Sequence, residues 1–283
     1  MKDRLLAHLQ ALVGTRHPHT SRNKLQQVEG YVSQQLRRPG VTVQLHPFRA
    51  LGETYHNVVA TLAVHKPGTP LIVAAHFDTV AESPGADDNA SGLAVLLEVA
   101  RLIQTQALAR PVRLIAFNLE EENLLGSLAY VSDLGRKGEE IFGAIVLECV
   151  GYARSEPDSQ QRPARMPVEV PSVGDFLAVV GNEASQGLVA AVTSSGSRAV
   201  PPLKIIPLVV PARGEQLPDT RRSDHAAFWD HGHPAVMLTD TANFRNPHYH
   251  RPTDTIETLN LTFLGHVTLA VTAAVRNLTA QAT

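Results

Sequence analysis

Histidines and carboxylates stand at the ends of several apolar runs in this chain, and these residue types bind divalent metals. Leu71–Ala75 is a run of five apolar residues that leads into His76 and Asp78, and Asp87-Asp88 follow with Asn89-Ala90-Ser91-Gly92 behind them. A second run, Val112–Leu119, ends in Glu120, Glu121 and Glu122, and a third, Ala144–Leu147, ends in Glu148. His248 and His250 lie in a late loop. Zinc takes histidine nitrogen and carboxylate oxygen, and catalytic sites keep a position open for water. Two such ions about 3.5–4 Å apart need a bridging group and further ligands on each. His76, Asp88, Glu121, Glu148 and His250 meet that demand, with Asp88 as the bridge. Asp78 is placed to accept the other imidazole N–H of His76 and so to set its tautomer. Adjacent carboxylates at a strand end point to opposite sides. Of Glu120 and Glu121, one can therefore ligate while the other takes a proton from the attacking water.

Each residue also has an ordinary reading. A lone histidine after a strand is commonly just a polar loop residue, and Asp-Asp-Asn can simply cap the helix behind it. A Glu triplet is usually a solvated turn, and Glu148 can pair with a helix dipole. The ordinary readings lose jointly, because acids and histidines close successive buried strands and their adjoining loops.

The elements that must position them follow from periodicity. Leu5, Leu9, Leu12 and Val13 recur at helical spacing, as do Leu25, Val28, Val32 and Leu36, with Pro39-Gly40 as the stop. Val41–Phe48 alternates and reads as a strand; Asn57–Leu62 is another, and Pro67-Gly68 turns the chain into Leu71–Ala75. That run is apolar on both faces, which suits a central strand covered on both sides. Helices are expected over Ser91–Gln106, Leu124–Leu134, Ser185–Thr193, Asp224–Asp230 and Leu259–Leu278, and strands over Phe176–Val180, Leu203–Val209 and Ala235–Leu238. Tyr152–Pro171 and Pro211–Arg222 are aperiodic and read as irregular loops, the first as a rim of the site. The expected fold is α/β: one domain over residues 1–283, with a mixed, largely parallel twisted sheet and helices on both faces. In such sheets, sites form beyond the carboxyl ends of strands.

Composition narrows the function classes. The 283 residues are 43% hydrophobic and 18% charged, which excludes a disordered chain. A net charge of −2 shows no nucleic-acid footprint. The single Cys149 excludes an intrachain disulfide and a thiolate zinc cluster. No signal-like core opens the chain and no run of about 18 apolar residues marks a membrane span, so the expectation is a cytoplasmic protein with no membrane partner.

The chain resembles the M28 family of zinc aminopeptidases, which also holds carboxypeptidases and relatives of glutaminyl cyclase. The resemblance rests on His76-Phe-Asp78-Thr, Pro84-Gly-Ala-Asp-Asp-Asn-Ala-Ser-Gly92, Glu120-Glu121 with Leu124-Leu125-Gly126-Ser127, Glu148, Ser223-Asp224-His225, and Tyr249-His250 with Thr253-Asp254-Thr255. It implies a peptide substrate and two zinc ions. Asp88 is then the bridge, with a peptide bond after it that is often cis; His76 and Glu148 complete one metal, and Glu121 and His250 the other. Glu120 becomes the general base, Asp78 stands behind His76, and Tyr249 helps stabilise the oxyanion. His250 is preferred to His248 because Thr-Asp-Thr follows it at the family's spacing. Two positions depart from the pattern. Glu148 stands where family aminopeptidases often carry Asp, and Asn123 stands where Gly is usual, a place where Asn tolerates positive φ.

The M20 type of zinc exopeptidase shares a His-x-Asp-Thr strand but inserts a dimerisation domain. The 101 residues between Glu148 and His250 are already occupied by core elements, which argues against it. The reading is therefore a di-zinc aminopeptidase. The alternatives are a carboxypeptidase of the same family, a single-zinc acyltransferase like glutaminyl cyclase, and a binding relative without catalysis. Arg245 is the candidate cation for a substrate carboxylate, against the plainer reading of a surface ion pair. A cyclase would need a tryptophan at its pocket, whereas Trp229, the only one, reads as core packing.

Overall fold

Leu71, Val73 and Ala75 point into one apolar layer, and Ile72 and Ala74 into the other. They belong to β3 (Leu71–His76), whose every residue is buried. This is why the run lacks the polar alternation of a half-exposed strand. Each such Val, Leu or Ile contributes about 1.5–3 kcal/mol by burial. The computed structural model describes residues 1–62, 64, 68–106, 108–163 and 168–280. Pro67 of the expected turn and residues 164–167 of the expected loop lie outside that set.

The other strands are β1 (Val41–Ala50), β2 (Glu53–Leu62), β4 (Val112–Phe117), β5 (Gly143–Glu148), β6 (Phe176–Asn182), β7 (Lys204–Val210) and β8 (Ala235–Thr239). They form an eight-stranded sheet in the order β1-β2-β4-β3-β5-β8-β6-β7. The central four, β4, β3, β5 and β8, are mutually parallel, and β2 and β6 flank them antiparallel. One face is covered by α1 (Lys2–Leu12), α2 (Arg22–Leu36), α3 (Gly92–Ile103), α5 (Gln186–Ala199) and α7 (Leu261–Ala280). The opposite face carries α4 (Leu125–Lys137) and α6 (His225–Asp230). The mixed, largely parallel α/β sheet with two helical layers agrees with the expectation. Among the described residues, α7 is the one helix long and apolar enough to cross a membrane, but it packs against α1, α3 and α5.

The helix expected from Ser91 agrees at its start, with Ser91 the helical N-cap of α3, directly behind a wide turn at Ala86–Ser91 that contains a cis Asp88–Asn89 bond. One strand end differs from the expectation at a functional place. The strand expected to Leu119 stops at Phe117, because Leu119 adopts a left-handed backbone with φ +59°.

The sheet order creates the site. The chain moves from β3 through α3 to β4, then back over β3 through α4 to β5. Right-handed crossovers in opposite directions put their helices on opposite faces, and α3 and α4 do lie on opposite faces. A crevice therefore opens beyond the carboxyl ends of β3 and β5, where the connections diverge.

Candidate active site

His76 ends β3 and Glu148 ends β5, so the crevice receives one imidazole and one carboxylate from adjacent strands. His76 Nε2 lies 3.4 Å from Glu148 Oε2 and 3.2 Å from Asp88 Oδ1. The other Asp88 oxygen lies 3.0 Å from His250 Nε2, which is 3.2 Å from Glu121 Oε2. Two groups result, His76/Asp88/Glu148 and Asp88/Glu121/His250, each with its donor atoms within 4.8 Å of one another. Asp88 is common to both. Glu120 Oε2 lies 3.9 Å from His76 Nε2, whereas Glu121 turns to His250, so the paired glutamates diverge. All five residues expected as ligands thus meet in one place. His248 instead contacts Thr253 Oγ1 at 2.9 Å.

The donor set fits a metal. Both nitrogens of His76, both oxygens of Asp88, Glu121 Oε1 and His250 Nε2 are buried without a hydrogen-bond partner. Buried polar atoms are normally paired, and such an orphaned cluster is expensive unless something occupies it. Electrostatics agree. Burial, followed by neighbouring carboxylates such as Glu148, pushes Glu120 well above the carboxylate range, although His76 opposes the shift. Burial and Asp88 move Glu121 up to about 7. Burial disfavours charge on His250, yet Asp88 and Glu121 raise it to about 10. Burial likewise disfavours charge on His76, and Glu148 and Glu120 outweigh it, raising that imidazole well above its usual value.

The supporting residues come from distant segments. Asp78 lies 3.5 Å from His76 Nδ1, a long contact. Its firm bonds, at 3.0 Å, accept the backbone N–H groups of Glu120 and Glu121. Asp254 accepts the N–H groups of Asp87 and Asp88 at 3.0–3.2 Å. The Asn89 side chain donates to Leu147 O and accepts from Gly92 N, tying the turn to β5 and α3. Ser223 Oγ donates to Glu148 Oε2 at 2.7 Å. Asp87 accepts from Gly151 N and Asn246 Nδ2, both at 2.8 Å. Local pattern assigns Asp254 and Ser223 no role, since their partners lie 167 and 75 residues away. Left-handed residues stand at the bends: Leu119 before Glu120, Cys149 after Glu148, and His250 itself. Strain of this kind collects at functional sites. Asn123 has φ +63°, the tolerance expected of it.

A cavity of about 100 Å³ opens beside Glu148 and Tyr249. Val168, Ala178, Val180, Leu208, Met237 and Phe244 make much of its wall. Both irregular loops contribute, through Gln160, Val168 and Val170 from one and Asp219, Thr220 and Arg222 from the other. Tyr249 stacks on His250 with ring centroids 3.9 Å apart, and Arg222 Nη2 donates to its hydroxyl at 3.2 Å. Burial pushes the Tyr249 phenol up, so it keeps its proton.

Arg245 is not at this cavity in the role considered for it. It is only 6% exposed, donates to Gln160 Oε1, Tyr152 O and Phe176 O, and lies over the Phe176 ring. A guanidinium so engaged is a structural clamp, neither a substrate anchor nor a surface ion pair. Among the described residues, the cation that lines the cavity is Arg222. Trp229 is buried and donates its Nε1–H to Ala235 O at 2.9 Å, in keeping with a packing role.

A parallel-centred α/β sheet with two histidine–carboxylate groups beyond its strand ends is consistent with a zinc exopeptidase-like α/β fold. This chain belongs to peptidase family M28, whose profile matches residues 57–275. An uncharacterised protein, YfbL of Escherichia coli K12, is 35% identical over 269 residues, covering 88% of this chain and 80% of YfbL. BSAP, a zinc aminopeptidase from Bacillus subtilis, superposes with a TM-score of 0.62 at 27% identity, over 80% of this chain and 50% of BSAP. The LapA aminopeptidase of Legionella pneumophila gives a TM-score of 0.78 at 16% identity, over 100% of this chain and 73% of LapA, a likeness of fold alone.

Proposed function

We propose that this chain is a di-zinc aminopeptidase that removes N-terminal residues with apolar side chains from peptides. The observation that carries the reading is Asp88, whose two oxygens face His76 and His250 separately at 3.2 and 3.0 Å. His76, Asp88 and Glu148 would hold one ion, and Asp88, Glu121 and His250 the other. Bound zinc would supply Lewis acidity, polarising the scissile carbonyl and acidifying water.

The chain's own groups do the rest. Glu120, free of ligation and driven up by burial, takes a proton from the attacking water and returns it to the leaving amine. Asp78 holds the Glu120 backbone in place. The Tyr249 hydroxyl donates to the oxygen that gains charge, while Arg222 holds that hydroxyl from behind. The apolar cavity takes the side chain of the cleaved residue.

Glu120→Gln tests the assignment. It should keep its zinc and lose turnover; full activity in that variant would sink the reading. The zinc count per chain separates a two-metal hydrolase from a one-zinc cyclase. Arg222 favours one second reading, a carboxypeptidase of the same family, because it sets a cation at the cavity wall. N-acetylated and C-amidated peptides decide between the two: cleavage only of the C-amidated set supports the aminopeptidase.

A further inference from the structure

Arg16 is wholly buried, and its guanidinium bonds to five main-chain carbonyls. Nε donates to Phe77 O at 2.7 Å, Nη1 to Leu12 O, Gly14 O and Pro84 O at 2.9–3.0 Å, and Nη2 to Gly85 O at 3.0 Å. Its backbone N–H reaches Thr79 Oγ1 at 2.8 Å. Two of the carbonyls, Leu12 and Gly14, close the C-terminus of α1. The other three lie in the segment between His76 and Asp88. A buried arginine costs several kcal/mol unless its donors are satisfied, and here the backbone satisfies them. Burial lowers the guanidinium pKa to about 10, and Asp88, Asp78, Asp254 and Glu121 oppose that shift through space.

The arrangement leaves no slack at Gly85. That residue has φ +63°, and a Cβ there would lie 2.7 Å from Arg16 Nη2 and 2.3 Å from Asp88 O. Arg16 takes the carbonyls on one side of the segment, and Asp254 takes the N–H groups of Asp87 and Asp88 on the other. Arg16 also lies outside residues 57–275, the stretch that the family profile matches.

We propose that Arg16 is a positioning residue of the metal centre, holding the 77–85 segment so that the Asp88 carboxylate stands oriented between His76 and His250 before metal arrives. The inference rests on the two-metal reading of the site. Charge alone does not account for it, since a nearby cation by itself opposes metal binding. The fork that reaches five carbonyls is the working feature, and lysine cannot reproduce it.

Metal-free wild-type protein and Arg16→Lys are titrated with zinc against a chromophoric chelator, and the Tm of each metal-free protein is measured. Lysine keeps the charge and loses the fork. At least one zinc constant of Arg16→Lys should weaken by about 10–100-fold. Wild-type zinc constants in a folded Arg16→Lys overturn the inference even if Tm falls, because a mere staple would lower Tm alone. Wild-type protein that takes up no zinc overturns the two-metal reading itself, and this inference with it. Should Arg16→Lys not fold, Arg16→Gly with added n-propylguanidinium replaces it. Zinc affinity that rises saturably with the additive supports the role, and affinity independent of the additive overturns it.

Discussion

The Asp78 carboxylate receives the backbone N–H of Glu120 at 3.0 Å, while its other oxygen receives that of Glu121. One side chain from the end of β3 thus anchors the turn that ends β4. The expected base and one expected ligand ride on that turn. Asp78→Ala should lower kcat by about 10–100-fold and weaken zinc binding by a similar factor. Asp78→Asn keeps one acceptor and should fall between. Steady-state kinetics with zinc in excess check the first effect, and chelator competition the second.

Gly85→Ala should be far more damaging than an ordinary loop substitution. Its Cβ would meet Asp88 O, Thr79 Cγ2 and Arg16 Nη2 at 2.3, 2.4 and 2.7 Å, all within a bonded segment. Gly40 has φ +78° but nothing within 4 Å of a Cβ. Gly40→Ala should therefore cost only backbone strain, about 1–2 kcal/mol, and Gly85→Ala at least twice that. Urea unfolding of the two variants makes the comparison.

Ser223→Ala removes the hydroxyl that donates to Glu148 Oε2 at 2.7 Å. A buried carboxylate that loses its donor costs about 1–3 kcal/mol. The loss should shrink when zinc is bound, because a ligated oxygen has found another partner. Thermal melts of metal-free and zinc-loaded protein measure both states.

His225 gives a pH dependence away from the expected ligands. Burial lowers its pKa from 6.5 to about 4, and it pairs with Thr220 O at 2.7 Å. The fold favours the neutral ring, so its contribution is complete above pH 6.5 and is lost as pH falls toward 4. The loss amounts to about 3 kcal/mol. Unfolding of metal-free protein between pH 7.5 and 4 should therefore show a steeper decline in wild type than in His225→Gln, which has no group to titrate there.

Ala178→Phe places a ring in the apolar cavity. If that cavity takes the N-terminal side chain, kcat/KM for leucine-type substrates should drop by about 10–100-fold while alanine substrates change little. Equal losses on both would place the side-chain pocket elsewhere.

Much of this was legible in the sequence where local pattern carries global meaning. β3, β4 and β5 are apolar on both faces because helices cover both, and that burial leaves its mark residue by residue. Asn123 in a left-handed turn was legible for a similar local reason. Arg245 was misread because its surroundings are not local: Gln160 and Phe176 lie 85 and 69 residues away. Nothing near Arg245 in the chain distinguishes a clamp from an anchor.

By itself the sequence determined which side chains could do chemistry and that buried strands deliver them, since strand period and residue type are properties of neighbours along the chain. Only the tertiary structure decided that β3 lies between β4 and β5, so that Glu121 and Glu148 approach His76 and His250 around one aspartate. It also decided that Arg16 and Asp254, from opposite ends of the chain, grip the same short segment. Those contacts depend on sheet order and crossover hand, which depend on how every layer packs.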